Sequence, residues 1–155
     1  MTLGGTMLST KLVRLIEANW EEIATRLLTA VKRHPEMQNL AERPDLEKRE
    51  WCRAILENLG YLLTPRKDEE INRRWELLGR ARFEERIPLH EAVLRLQMLK
   101  NKILSFIHEQ GFSNTAVELY AEEELEQRLG RLFDALVYSV VRGYEDAARL
   151  ESMAS

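Results

Sequence analysis

The sequence predicts an all-α protein, a bundle of five to six helices closed by an unusually long C-terminal one. Three observations carry that reading. Apolar residues recur at three- and four-residue spacing through every long segment. No segment sustains the alternation of apolar and polar residues that a strand needs. The few breaking residues, seven Gly and four Pro in 155 residues, stand where the periodic pattern is interrupted. One domain over 1–155 is expected, with residues 1–8 as a flexible tail.

The first helix is predicted from Ser9, a good N-cap, to about Lys32, with Leu12, Leu15, Ile16, Trp20, Ile23, Leu27 and Val31 forming one stripe. His34-Pro35 ends it, because a residue before proline avoids the α region. Residues 35–44 read as a loop or short helical turn. A second helix, about Asp45 to Leu63, turns Trp51, Cys52, Ile55, Leu56, Leu59 and Leu62 inward, and Thr64-Pro65 breaks it. A third, about 67–86, buries Ile71, Trp75, Leu78 and Phe83 and carries Asp68, Glu69 and Glu70 in its first turn, where the dipole favours acids. A fourth starts at Pro88, a residue suited to the first helical position, and stops near Gln110 before Gly111.

The last helix is expected from Asn114 to about Leu150, which at ~1.5 Å per residue is on the order of 50 Å. It carries two apolar stripes. One is Leu125, Leu129, Leu132 and Leu136, continued by the small residues Ser139, Gly143 and Ala147; the other is Phe133, Val137, Val140 and Tyr144. Together they cover roughly 200° of arc, twice what one interface needs. The fourth helix also has Leu94 and Met98 outside its main stripe. This surplus predicts a homodimer whose interface takes in Leu129, Leu132, Leu136, Ser139, Gly143, Ala147, Leu94 and Met98.

Composition narrows the function. A net charge of −3, with acids interleaved among the basic residues of 66–86, gives no reason to bind nucleic acid. No apolar run is long enough to span a membrane. The single Cys52 excludes an intrachain disulfide and reads as a core filler, and a cytoplasmic location is expected. His90 and His108 are about 27 Å apart along one helix, and His34 sits at a helix end, so no metal site is expected. Glu122, Glu123, Glu124 and Glu126 read as a solvated acidic face, since consecutive residues on a helix point apart. There is no phosphate loop, nucleophile elbow or paired acid and base. No enzyme activity, catalytic residue or cofactor is expected.

The stretch Leu78-Gly79-Arg80-Ala81-Arg82-Phe83-Glu84-Glu85-Arg86-Ile87-Pro88-Leu89, followed by Glu91-Ala92-Val93-Leu94-Arg95, resembles the "LGR-x-RA-x-x-G-I-P-L-x-E-x-L-R" core of a bacterial sensory family. This is the N-terminal domain of RsbR- and RsbT-co-antagonist-type stressosome proteins, and the similarity in layout extends over roughly 9–150. The resemblance implies a globin-like fold without haem and a dimer built on the last two helices. It also implies a role in stress signalling, relaying a signal through the C-terminal helix to a STAS or kinase effector. The same stretch is similar to the proximal region of haem-binding globin gas sensors, the alternative reading. That alignment puts Glu84 where the iron-ligating histidine would stand, and a glutamate is a poor axial ligand for such a sensor. A pocket retained from that ancestry would take a small apolar ligand.

Overall fold

The computed structural model describes residues 3–64, 68–111 and 114–154, with the backbone alone at 3–7 and 68. The described residues are helical, joined by short turns, and contain no strand. The helices are α1 (Leu3–Ala18), α2 (Trp20–Arg33), α3 (Gln38–Ala41), α4 (Asp45–Leu56), α5 (Leu59–Leu63), α6 (Asp68–Glu84), α7 (Leu89–Glu109) and α8 (Ala116–Ala154). The all-α class and the long final helix are as the sequence predicts. Eight helices among the described residues, rather than five to six, come from α3 and from two breaks.

Both breaks fall at an asparagine. Asn19 Nδ2 donates to the Leu15 carbonyl at 2.8 Å, and Asn58 Nδ2 donates to the Ala54 carbonyl at 3.1 Å. Asparagine competes with the backbone for its own carbonyls, and here the helix ends one residue before it or one residue earlier still. The predicted first helix is therefore α1 and α2, and the second is α4 and α5.

Two caps also differ from expectation. Ser9 is not an N-cap: α1 already begins at Leu3, through most of the segment read as a tail. Ser9 is buried mid-helix, its hydroxyl donating to the Ala121 carbonyl at 3.2 Å and joining α1 to α8. At the start of α8 the cap is Thr115, whose Oγ1 accepts the Glu118 amide at 3.1 Å, while Asn114 donates its side-chain amide to the Gly111 carbonyl. Gly111 takes the left-handed conformation expected of it, φ 66°.

The corner between α6 and α7 is a hydrogen-bonded stop. The Ile87 amide donates to the Arg82 carbonyl at 3.0 Å and the Arg86 amide to the Phe83 carbonyl at 2.9 Å, the paired bonds of a Schellman motif. The motif needs a left-handed residue, and Arg86 fills that place with φ 61°, at the position where the quoted family motif has glycine. Pro88 follows in extended backbone (ψ 139°) as the N-cap of α7 rather than its first helical residue.

The core is one continuous cluster. Ile16, Ile23, Leu27, Leu56, Leu96, Leu99 and Ile103 are fully enclosed, and α8 contributes Leu125, Leu129, Phe133 and Leu136. α8 is the spine, packing along α1, α5, α6 and α7, while α2 bridges α4 and α7. Buried polar residues tie down the irregular connection. Glu91 accepts the Leu40 amide at 2.9 Å and the Asn39 side-chain amide at 2.6 Å, and Lys48 Nζ donates to the Ala41 carbonyl at 2.8 Å.

The predicted dimer stripe is buried inside the chain. Leu129, Leu132, Leu136, Ser139, Gly143 and Ala147 are all covered, and Leu94 and Met98 are half-buried against the core. The close approach that the small residues permit is made at Ser139 and Gly143 by Asn72 and Glu76 of α6 in the same chain.

Candidate functional site

The feature that organises the molecule is the α6–α8 crossing. The partners ascend together: Ser139 donates to Asn72 at 3.1 Å, Phe83 meets Tyr144 edge-on at 5.3 Å between centroids, and Arg86 makes a two-pronged pair with Glu151 at 2.9 and 3.0 Å. The two helices therefore run parallel. Two glycines let their backbones touch. A Cβ on Gly79 would lie 2.1 Å from the Val140 carbonyl oxygen, and one on Gly143 would lie 1.9 Å from that of Glu76. No side chain fits at either place. Tyr144 donates its hydroxyl to the Ile87 carbonyl at 2.8 Å, so the α6–α7 corner and α8 are held as one unit.

One turn beyond Gly79 lies a buried guanidinium cluster. Arg95 is 5 % exposed, and its guanidinium stacks 3.9 Å over the Trp51 ring. Arg43 reaches Glu47 and Glu85 at 2.8 Å each. Arg82, itself buried, lies 3.8 Å from Glu47 and 3.0 Å from Glu85. Three guanidiniums face two carboxylates, so one positive charge is in excess. Among the described residues, the N–H groups at Nε of Arg82 and Arg95 and at Nε1 of Trp51 meet no acceptor; the Arg82 group sits near Glu85 without being aimed at it. Burial, with the neighbouring Arg82 charge adding to it, pushes Arg95 down to about 9. The adjacent Cys52 thiol is pushed up to about 12 by burial, which makes it an inert filler rather than a nucleophile.

Glu84, the position matched to the iron ligand, is exposed at the end of α6 and lines none of the cavities described here. The interior beside the corner is packed with Trp51, Trp75, Leu78 and Arg95, leaving about 10 Å³, room for roughly one water. A larger hollow lies elsewhere, an open groove of about 520 Å³ between α5, α6 and α8, lined by Leu62, Ile71, Leu132, Arg128, Arg131 and Tyr138.

The histidines divide as follows. His34 accepts the Glu36 amide at its ring nitrogen, 3.0 Å. His90 is exposed, 3.5 Å from Glu36. His108, at the end of α7, lies 2.6 Å from Glu126 and 3.5 Å from Glu122. The acidic stretch is thus not wholly a solvated face. Glu122 and Glu126, four residues apart, share a face of α8 that meets α7, and Glu122 is buried. The signal that could have found the trio was this four-residue spacing. Among the described residues, it is the one group of three such side chains close enough to share a metal ion.

No family model, curated protein or solved structure matches the chain. Among the described residues, no helix is long and apolar enough to cross a membrane.

Proposed function

We propose that the chain is a non-enzymatic, globin-like signalling domain. It works as a homodimer and passes a change of state along α8 to a regulatory effector of the STAS or kinase type. The observation that carries this reading is the glycine-locked crossing of α6 on α8. α8 spans 39 residues, lies along four other helices of the core, and ends in an exposed turn with Leu150 and Met153 open to solvent. A helix that is both the core's spine and its exposed extension must move when the core around it changes. The buried charge at Arg82 and Arg95, one turn from Gly79, is where such a change would act on α6. The resemblance of the 78–95 stretch to stressosome sensory domains supports the same reading.

The dimer is assigned to the outer side of the α6–α8 pair, since the small-residue stripe is covered. Leu77 and Tyr138 are 58 % and 63 % exposed there, flanking the Glu76–Arg142 pair at 3.8 Å. Light scattering tests it. Wild type is expected at twice the 18.2 kDa chain mass at micromolar concentration, and Tyr138→Glu at the mass of one chain. A wild-type monomer, or an undisturbed Tyr138→Glu dimer, would refute the assignment.

A further inference from the structure

We propose that His108, Glu122 and Glu126 form a binding site for a divalent transition metal of the zinc class. The trio brings one imidazole nitrogen and two carboxylate oxygens within 4.8 Å of one another, from two helices, with the carboxylates one turn apart on α8. Ions of this class hold such donors at about 2.0–2.2 Å, which places the donors about 3.4 Å from each other in a tetrahedral shell. The His108–Glu122 separation of 3.5 Å already matches, and the 2.6 Å His108–Glu126 contact must open by less than about 1 Å. His108 and Glu126 are the more exposed members, with side chains 60 % and 29 % accessible, and have the freedom to do so; Glu122, at 9 %, is held by the fold.

The donor types select the ion. A mixed nitrogen and oxygen set suits zinc, cobalt and manganese, whereas calcium and magnesium take oxygen ligands. Glu126 has His108 as its ion-pair partner among the described residues. A dication between the two carboxylates and the imidazole would leave the rest of its shell to water. The bound ion would clamp the last turn of α7 to the second and following turns of α8. The site stands apart from the signalling reading, since it lies within one chain and needs no dimer.

Untagged protein stripped with a chelator is titrated with zinc by calorimetry and with cobalt by visible absorption. One zinc per chain is expected, with cobalt bands in the visible that zinc abolishes, and a melting temperature that rises with zinc. His108→Ala and Glu126→Gln each lose at least tenfold in affinity along with the melting shift, while Glu123→Gln and His90→Ala keep both. Circular dichroism confirms that the variants fold. No saturable zinc binding by wild type, or affinity unchanged in His108→Ala, would overturn the site.

Discussion

At single residues, the structure is legible as strain and as buried charge. Arg86 holds a left-handed backbone that costs a residue with a Cβ about 1–2 kcal/mol, offset here by its pair with Glu151 and its stacking on Phe83. Arg86→Ala keeps the strain and loses the contacts, whereas Arg86→Gly loses the contacts and the strain. Urea denaturation should therefore find Arg86→Gly more stable than Arg86→Ala by about 1 kcal/mol. Arg95 gives a pH signature. Its folded value near 9 lies below the ordinary 12.5, so between them the unfolded chain binds more protons, and this residue's contribution to stability rises with pH. From about pH 8 to about pH 10, the stability of wild type relative to Arg95→Met should shift in favour of wild type. A constant difference would show that Arg95 keeps its proton through this range. Cys52, enclosed and with its thiol pushed up to about 12, should react with a thiol reagent only after the chain unfolds.

At the scale of helices, the test is the α6–α8 crossing. Gly143→Ala or Gly79→Ala puts a methyl group into a backbone carbonyl and should cost at least about 3 kcal/mol. Gly130, mid-helix in α8 with nothing within 4 Å of an added Cβ, should gain roughly 0.5–1 kcal/mol as Gly130→Ala. Thermal melts of the three variants separate packing from propensity. The same crossing shows where sequence reading stopped. The stripes of α8 announced more apolar surface than one neighbour needs, and that was legible. The neighbour was not, because α6 covers α8 largely through glycine and backbone, and a polar helix with Ile71, Trp75 and Leu78 as its inward residues gives little apolar signal. The breaks at Asn19 and Asn58 were hidden for a related reason. A polar residue on the outer face fits the helical period whether or not its side chain turns back on the backbone.

At the scale of the molecule, the all-helical class and the long final helix follow from periodicity alone, but the sites depend on how helices are brought together. His108 and Glu126 are eighteen residues apart on different helices, and only the α7–α8 packing makes them neighbours. Glu84 kept its place in the motif and turned out to face solvent. In the proposed signalling dimer, two copies meet on the outer side of α6 and α8, so that a change at the crossing reaches both. The most direct measurement is oxidative cross-linking of Tyr138→Cys, since near a two-fold axis this position meets its own copy and Cys52 is too buried to interfere. A disulfide-linked dimer at twice 18.2 kDa is expected, with no such product from Gln97→Cys on the exposed side of α7. Cross-linking at Gln97→Cys and none at Tyr138→Cys would contradict it.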